Sequence, residues 1–184
     1  MNLFKVNFQE LYERHLCRHS QYGINVIHLI SVIGSYLALF AIAFRLLDNV
    51  WVWMTVPLVY SVLVAFNLPL RVLAASLVFM AGFFALFFLL PSIPLWVSFV
   101  VLVLSHEIQQ LSHKIYTIEY DMTAYKAKYR KGLLLFVLLS LYELPILLNY
   151  LVFEGNRSFS PQAAPRVKTP AAEQSSHAVV ALPK

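Results

Sequence analysis

Five long apolar runs dominate this 184-residue chain, and they constrain its fold more than any other feature. They cover roughly residues 24–47, 50–66, 68–90, 94–111 and 132–153. A membrane-spanning helix needs about 20 mostly apolar residues, a length that the first, third and fifth runs reach. Only Asn67 and Pro69 separate the short second run from the third, which predicts a tight helical hairpin. The fourth run reaches spanning length only if it continues into the stretch LSHEIQQLSHKIYTIE that begins at Leu104.

The composition favours a membrane bundle over a soluble domain. Charged residues make up 12% of the chain and hydrophobic residues 60%, and the charged share is about half that of a soluble protein. The runs lack the period-2 alternation of membrane barrels. We therefore expect an all-α, polytopic membrane helix bundle of about five spans with short connections over residues 1–153, including an amphipathic N-terminal head. Residues 154–184 are rich in Pro, Ala and Ser, which predicts a disordered tail.

The distribution of basic residues predicts the orientation of this bundle. Three basic residues precede the first run, five lie in the 114–131 connection, and the short turns around the third run carry no charge. The positive-inside rule places the N-terminus and the 114–131 connection in the cytoplasm, and the fifth run would then carry the tail across. The membrane would be the inner membrane in a bacterium or the endoplasmic reticulum in a eukaryote. The net charge of +5 fits anionic lipid headgroups, and no basic recognition motif for nucleic acid is visible.

Histidines gather at the predicted cytoplasmic ends of two spans. Three precede or open the first run and two close the fourth, namely His15, His19, His28, His106 and His113. A single interfacial histidine more often contacts a headgroup than a metal. Several converging imidazoles favour a metal site, because imidazole is the commonest ligand that proteins offer to metal ions and suits iron, copper, zinc and nickel. The chain has one cysteine, Cys17, so a thiolate cluster is excluded.

The spacing on the fourth span refines this site. His106 and His113 share a helical face but lie two turns apart, roughly 10 Å along the axis. This separation suits one ligand plus one supporting or substrate-binding group, or two metal ions, better than two ligands on one ion. Gln109 lies between them, and Glu107 and Glu119 flank the stretch as possible carboxylate ligands. Such a donor set fits Fe(II) or Zn(II).

Other polar residues each allow two interpretations. Asn25 either caps the first span or holds an imidazole tautomer. Arg71 either extends to the interface or contacts an anionic lipid or substrate carboxylate. Glu143 either pairs with Asn149 inside the bundle or serves as an acid or base. Tyr116 belongs to an interfacial tyrosine belt or acts as an acid.

Two motifs resemble a known family. The stretch His19-Ser-Gln-Tyr-Gly-Ile-Asn25-Val-Ile-His28 resembles the first motif of the 2-hydroxy-fatty-acid dioxygenase-like (terpene cyclase-like) integral membrane proteins. In that motif a histidine is followed by an asparagine and by a second histidine nine positions after the first. The stretch Gln109-Gln-Leu-Ser-His113-Lys-Ile-Tyr116 resembles the second motif of the family, with Ser112 in the place of a glycine. The likeness covers these motifs and the general plan, over about residues 10–125.

The resemblance implies Fe(II), O₂ and a 2-hydroxy fatty acid that is shortened by one carbon. It implies His19, His28 and His113 as ligands, with His106 as a fourth, and it gives Gln109 and Asn25 supporting roles. Three alternatives stay open. The chain could bind haem between His28 and His113, it could be a non-catalytic lipid-binding membrane protein, or it could be a terpene cyclase or isomerase that depends on Glu143 or Glu119.

Overall fold

A computed structural model describes residues 5–47, 49–90, 93–116, 120–129 and 132–155, apart from the side chains of residues 50, 52 and 53. Within these ranges the regular secondary structure is all helical and no strand occurs, so the predicted all-α class is confirmed. The helices are α1 (Phe8–Leu16), α2 (Tyr22–Leu46), α3 (Val50–Ala65), α4 (Leu70–Leu89), α5 (Leu95–Ile115), α6 (Thr123–Lys128) and α7 (Leu133–Leu148). A π-helical segment, Asn149–Glu154, continues α7. The predicted tail lies outside the described residues from position 156 onward.

The apolar runs fold into membrane-length helices. The segments α2, α4, α5 and Leu133–Glu154 are each long and apolar enough to cross a membrane, and Met54–Ala65 of α3 is a shorter apolar helix. The fourth run does gain its length from the histidine stretch, because α5 continues to Ile115. The chain is therefore a multi-pass membrane protein.

Small side chains bring α2 and α5 together. Ser98, Ser105 and Ser112 recur every seven residues along α5, and all three are buried. Opposite them on α2, a Cβ built on Gly34 would lie 2.5 Å from the Ser105 hydroxyl. Small residues let two membrane helices approach closely enough for backbone and side chains to interlock. This antiparallel contact brings the first turns of α2 next to the last turns of α5.

A leucine at Gly34 is expected to destabilise the bundle by about 1–3 kcal/mol, because the added side chain must displace α5. Gly82 of α4 provides the matched control, since a Cβ there would meet no atom within 4 Å. The apparent melting temperature of the detergent-solubilised protein should fall for Gly34→Leu and stay unchanged for Gly82→Leu. Equal melting temperatures would contradict close α2–α5 packing.

Helix α7 passes through a proline without breaking. Pro145 has no N–H to donate to the carbonyl of Leu141 one turn earlier. The Tyr60 hydroxyl of α3 donates to that carbonyl instead, at 3.2 Å. A side chain from a neighbouring helix thereby satisfies the backbone group that proline leaves free, as apolar surroundings require.

Helix α7 returns to the end of the bundle that carries the histidines. The Tyr150 hydroxyl donates to the carbonyl of Ser20 at 2.9 Å, and Glu154 pairs with Arg71 at the start of α4 at 3.3 Å. Helix α7 runs antiparallel to α2, because Ser140 is bonded to Tyr36 and Glu143 to His28 before Tyr150 reaches Ser20. The fifth run therefore ends at the histidine end of the bundle, whereas the charge pattern predicted that it would carry the tail to the opposite end.

The apolar composition of α7 reflects packing inside the protein. Its most apolar 18-residue window is 56% buried, against 17–28% for the other three membrane-length helices. Amphipathic α1 covers one side of α7, and the shared core includes Phe8, Leu11, Tyr12, Leu138 and Tyr142. A run that is apolar because it is buried in protein cannot be distinguished by composition from one that faces lipid.

We expect single cysteines at Lys5 and Gly155 to react with a membrane-impermeant maleimide from the same side of sealed vesicles. A cysteine at Asn49, which lies between α2 and α3 at the other end of the bundle, should react from the opposite side. The unmodified chain serves as the blank, because its Cys17 is fully buried. Labelling of the Gly155 and Asn49 positions from one side would contradict the return of α7.

Candidate metal centre

Three histidines from separate parts of the chain meet at one end of the bundle. His19 lies in the connection between α1 and α2, His28 in the second turn of α2, and His113 in the last turn of α5. The ring centroids are 4.5 Å apart for His19 and His28, 4.8 Å for His19 and His113, and 5.0 Å for His28 and His113. Each ring offers one nitrogen within 4.8 Å of the others. We call these three residues the histidine cluster.

A carboxylate fixes the tautomer of His28. Its Nδ1 lies 3.3 Å from Oε1 of Glu143 on α7. Because a carboxylate only accepts, the hydrogen bond requires a proton on Nδ1. In the neutral imidazole the lone pair then lies on Nε2. That nitrogen is buried and has no hydrogen-bond partner.

A backbone carbonyl fixes His19 in the same way. Its Nδ1 lies 3.1 Å from the carbonyl oxygen of His15 at the end of α1, so Nδ1 carries the proton and Nε2 the lone pair. This Nε2 is also buried and without a hydrogen-bond partner. Burial lowers the pKa of His19, and the neighbouring histidines lower it further. The imidazole is therefore held in the neutral form that binds metals.

Asn25 holds the connection that carries His19. Its amide nitrogen donates to the carbonyl oxygens of His19 at 2.6 Å and Gln21 at 2.8 Å, and these two bonds fix the orientation of the amide. Its Oδ1 then accepts from Nε2 of His15 at 3.1 Å. The His15 ring stacks on His19 with centroids 4.0 Å apart. Burial lowers the pKa of His15 to about 3, so this ring is also neutral.

The cluster fits a metal ion by the chemistry of its donors. A buried imidazole nitrogen without a partner is destabilising, since buried polar groups are nearly always hydrogen-bonded. Here two such atoms, on His19 and His28, belong to rings whose other nitrogen is already engaged. Metal-binding histidines characteristically donate their second N–H to a carboxylate or carbonyl. The arrangement supplies both kinds of acceptor.

Two further predicted residues lie beside the cluster. Gln109, one turn before His113 on α5, donates its amide to Oε1 of Glu143 at 3.4 Å. Tyr116 packs its hydroxyl directly over Gly23 in the first turn of α2, where a Cβ would overlap the phenol ring. Gly23 therefore permits the end of α5 to close over the start of α2.

Three other predicted site residues that the structure describes are not in the cluster. His106 and Glu107 are exposed, and His106 lies two turns before His113 on α5. Arg71 pairs with Glu154 and lies over the Phe153 ring at 5.4 Å, so its observed partners belong to the end of the π-helical segment. Glu119 falls outside the described residues.

Glu143 is the functional candidate that sequence reasoning placed differently. The sequence predicts that it pairs with Asn149 or serves as an acid or base, and in the structure it accepts from both His28 and Gln109. The available signal was its position, because a carboxylate in the middle of an apolar run needs a specific partner. No protein-family model, curated protein or solved structure matches the chain.

Proposed function

We propose that the chain is a membrane-embedded metalloenzyme in which His19, His28 and His113 bind one divalent metal ion. The observation that carries this proposal is the pair of buried, unpartnered Nε2 atoms on His19 and His28 within the cluster. We further propose Fe(II) as the ion, on the strength of the two family-like motifs. A set of three imidazoles also suits Zn(II).

The reaction that we propose is the oxidative shortening of a 2-hydroxy fatty acid by one carbon. With O₂ as oxidant the balance closes when the substrate carboxyl carbon leaves as CO₂ and the 2-carbon becomes the new carboxyl group, with one water formed. When bound, Fe(II) supplies the one-electron and O₂ chemistry that no side chain of the cluster can perform.

The residues of this chain would orient and insulate that site. Glu143 keeps the proton of His28 on Nδ1, and Gln109 adds a second hydrogen bond that holds the carboxylate in place. Asn25 fixes the short connection that carries His19. Buried Ser105 and Ser112 allow α2 and α5 to pack closely next to the cluster, which restricts water.

The geometry favours a bare ion over haem. A haem between His28 and His113 would need an open plane between the two rings. The centroids of these two rings are only 5.0 Å apart, which leaves no room for a porphyrin between them, and the ring of His19 lies within 4.8 Å of both. We also propose that the histidine end of the bundle faces the cytoplasm, because the basic residues of the head, Arg14 and Arg18, lie at that end.

Elemental analysis and an absorption spectrum of the detergent-purified protein test the proposal. We expect about one transition-metal ion per chain, no Soret band, and release of the ion by a strong chelator. O₂ uptake with a 2-hydroxy fatty acid in the iron-loaded protein should require the metal. A protein purified without metal that also takes up none on addition of Fe(II) or Zn(II) would overturn the metal site itself.

A further inference from the structure

An apolar cavity of about 320 Å³ lies between α2, α3, α4 and α7. Its volume is at the lower end of the range for small-molecule sites, about 300–1,000 Å³. Aromatic rings close the end farther from the histidine cluster, where Phe40 lies 5.7 Å from Phe83 and 5.1 Å from Phe84 between ring centroids. We call this space the aromatic cavity.

The polar atoms around the aromatic cavity are already hydrogen-bonded. The Tyr36 hydroxyl donates to the carbonyl of Ser140 at 3.3 Å, and the Tyr60 hydroxyl donates to that of Leu141 at 3.2 Å. A ligand in the cavity would therefore find no free hydroxyl proton on these two tyrosines, and the Ser140 hydroxyl likewise donates to the carbonyl of Phe136 at 2.9 Å. An unbranched hydrocarbon chain needs no hydrogen-bond partner and suits this lining, whereas a polar solute would lose most of its hydrogen bonds to water there.

The cavity follows the same two helices that build the histidine cluster. Tyr36 lies eight residues after His28 on α2, about 12 Å along the axis. Ser140 lies one turn before Glu143 on α7, and Leu144 directly follows Glu143. The cavity also has a lipid-facing side, because Val56 of α3 and Val137 of α7 line it and are 47% and 37% exposed.

We propose that the aromatic cavity holds one hydrocarbon chain of a membrane lipid, with the polar head of that lipid directed toward Glu143 and the histidine cluster. This assignment rests on the proposed function for the identity of the head. The hydrocarbon chain is assigned by three observations. These are the apolar lining, the hydroxyl protons of Tyr36 and Tyr60 that are already donated to backbone carbonyls, and the exposed side between α3 and α7. Phe40, Phe83 and Phe84 form the far wall and limit the length of chain that fits.

Photolabelling of the chelator-treated protein in phosphatidylcholine vesicles tests the assignment. The probe is a sixteen-carbon fatty acid with a diazirine at the methyl end, and mass spectrometry locates the adducts. We expect adducts on the far wall, at Phe40, Phe83 or Phe84, and suppression of these adducts by excess palmitic acid.

Two variants fill the cavity, each with a matched control on the same helix. Val137→Trp and Met80→Trp place an indole in the cavity, whereas Leu134→Trp and Leu77→Trp alter exposed residues outside its lining. The filling variants should reduce far-wall labelling about tenfold because the chain and the indole compete for one space, and the controls should not. Comparable circular dichroism spectra for all four proteins verify the fold.

Two results would overturn the cavity assignment. One is labelling that spreads evenly over exposed residues, and the other is far-wall labelling that is unchanged in both filling variants. Metal binding by the same preparations is measured separately. A protein that binds metal but shows no far-wall labelling rejects only this inference. Far-wall labelling in a protein that binds no metal rejects the proposed enzyme and leaves a lipid-binding cavity.

Discussion

Replacing His113 with alanine is expected to leave the purified protein without stoichiometric metal. Loss of supporting residues around metal sites already weakens binding by about 10- to 100-fold, and loss of one of only three ligands should exceed that. The two remaining imidazoles, His19 and His28, would lie 4.5 Å apart between ring centroids with no third donor from α5. Elemental analysis after dialysis against a weak chelator measures the effect.

The exposed His106 provides a control on the same helix. His106→Ala removes an imidazole two turns before His113 and leaves the histidine cluster intact. This variant should retain about one metal ion per chain, like the unmodified protein. If His106→Ala loses metal and His113→Ala keeps it, the ion binds deeper on α5 and the histidine cluster is not the site.

Sequence spacing predicted that these two histidines share a face, and it could not predict their depth. The apolar runs predicted where helices form, and the bounds of the first four runs agree with α2 to α5 within about four residues. Which histidine has partners depends on the register of α5 against α2. The contact of Ser105 with Gly34 sets that register, and it aligns His113 with the start of α2.

The course of the last apolar run could not be predicted from the sequence. Both a lipid-facing span and a helix buried in protein give a continuous apolar run, and charge patterning placed the end of α7 on the wrong side of the bundle. The contacts of Tyr150 with Ser20 and of Arg71 with Glu154 reverse that placement. The contact of Glu143 with His28 near the start of α2 was not predicted for the same reason.

The Glu143→Gln substitution is expected to weaken metal binding by about 10- to 100-fold, which corresponds to about 1.4–2.7 kcal/mol. The shape of the side chain is preserved and the negative charge is lost. A glutamine can present either its oxygen or its NH₂ group to Nδ1 of His28. In the second orientation the His28 proton moves to Nε2, and the nitrogen that faces His19 and His113 can no longer bind a metal.

Glu107→Gln is the control for that experiment, because Glu107 is an exposed carboxylate on α5 outside the cluster. Metal titration followed by the rise in apparent melting temperature reports affinity, since a ligand that binds only the folded protein stabilises it according to its Kd. Melting in the presence of chelator separates a change in affinity from a change in fold. If Glu143→Gln binds metal as tightly as Glu107→Gln, the carboxylate contributes to helix packing alone. An affinity loss restricted to Glu143→Gln, with unchanged melting in chelator, identifies Glu143 as the group that prepares His28 to bind the ion.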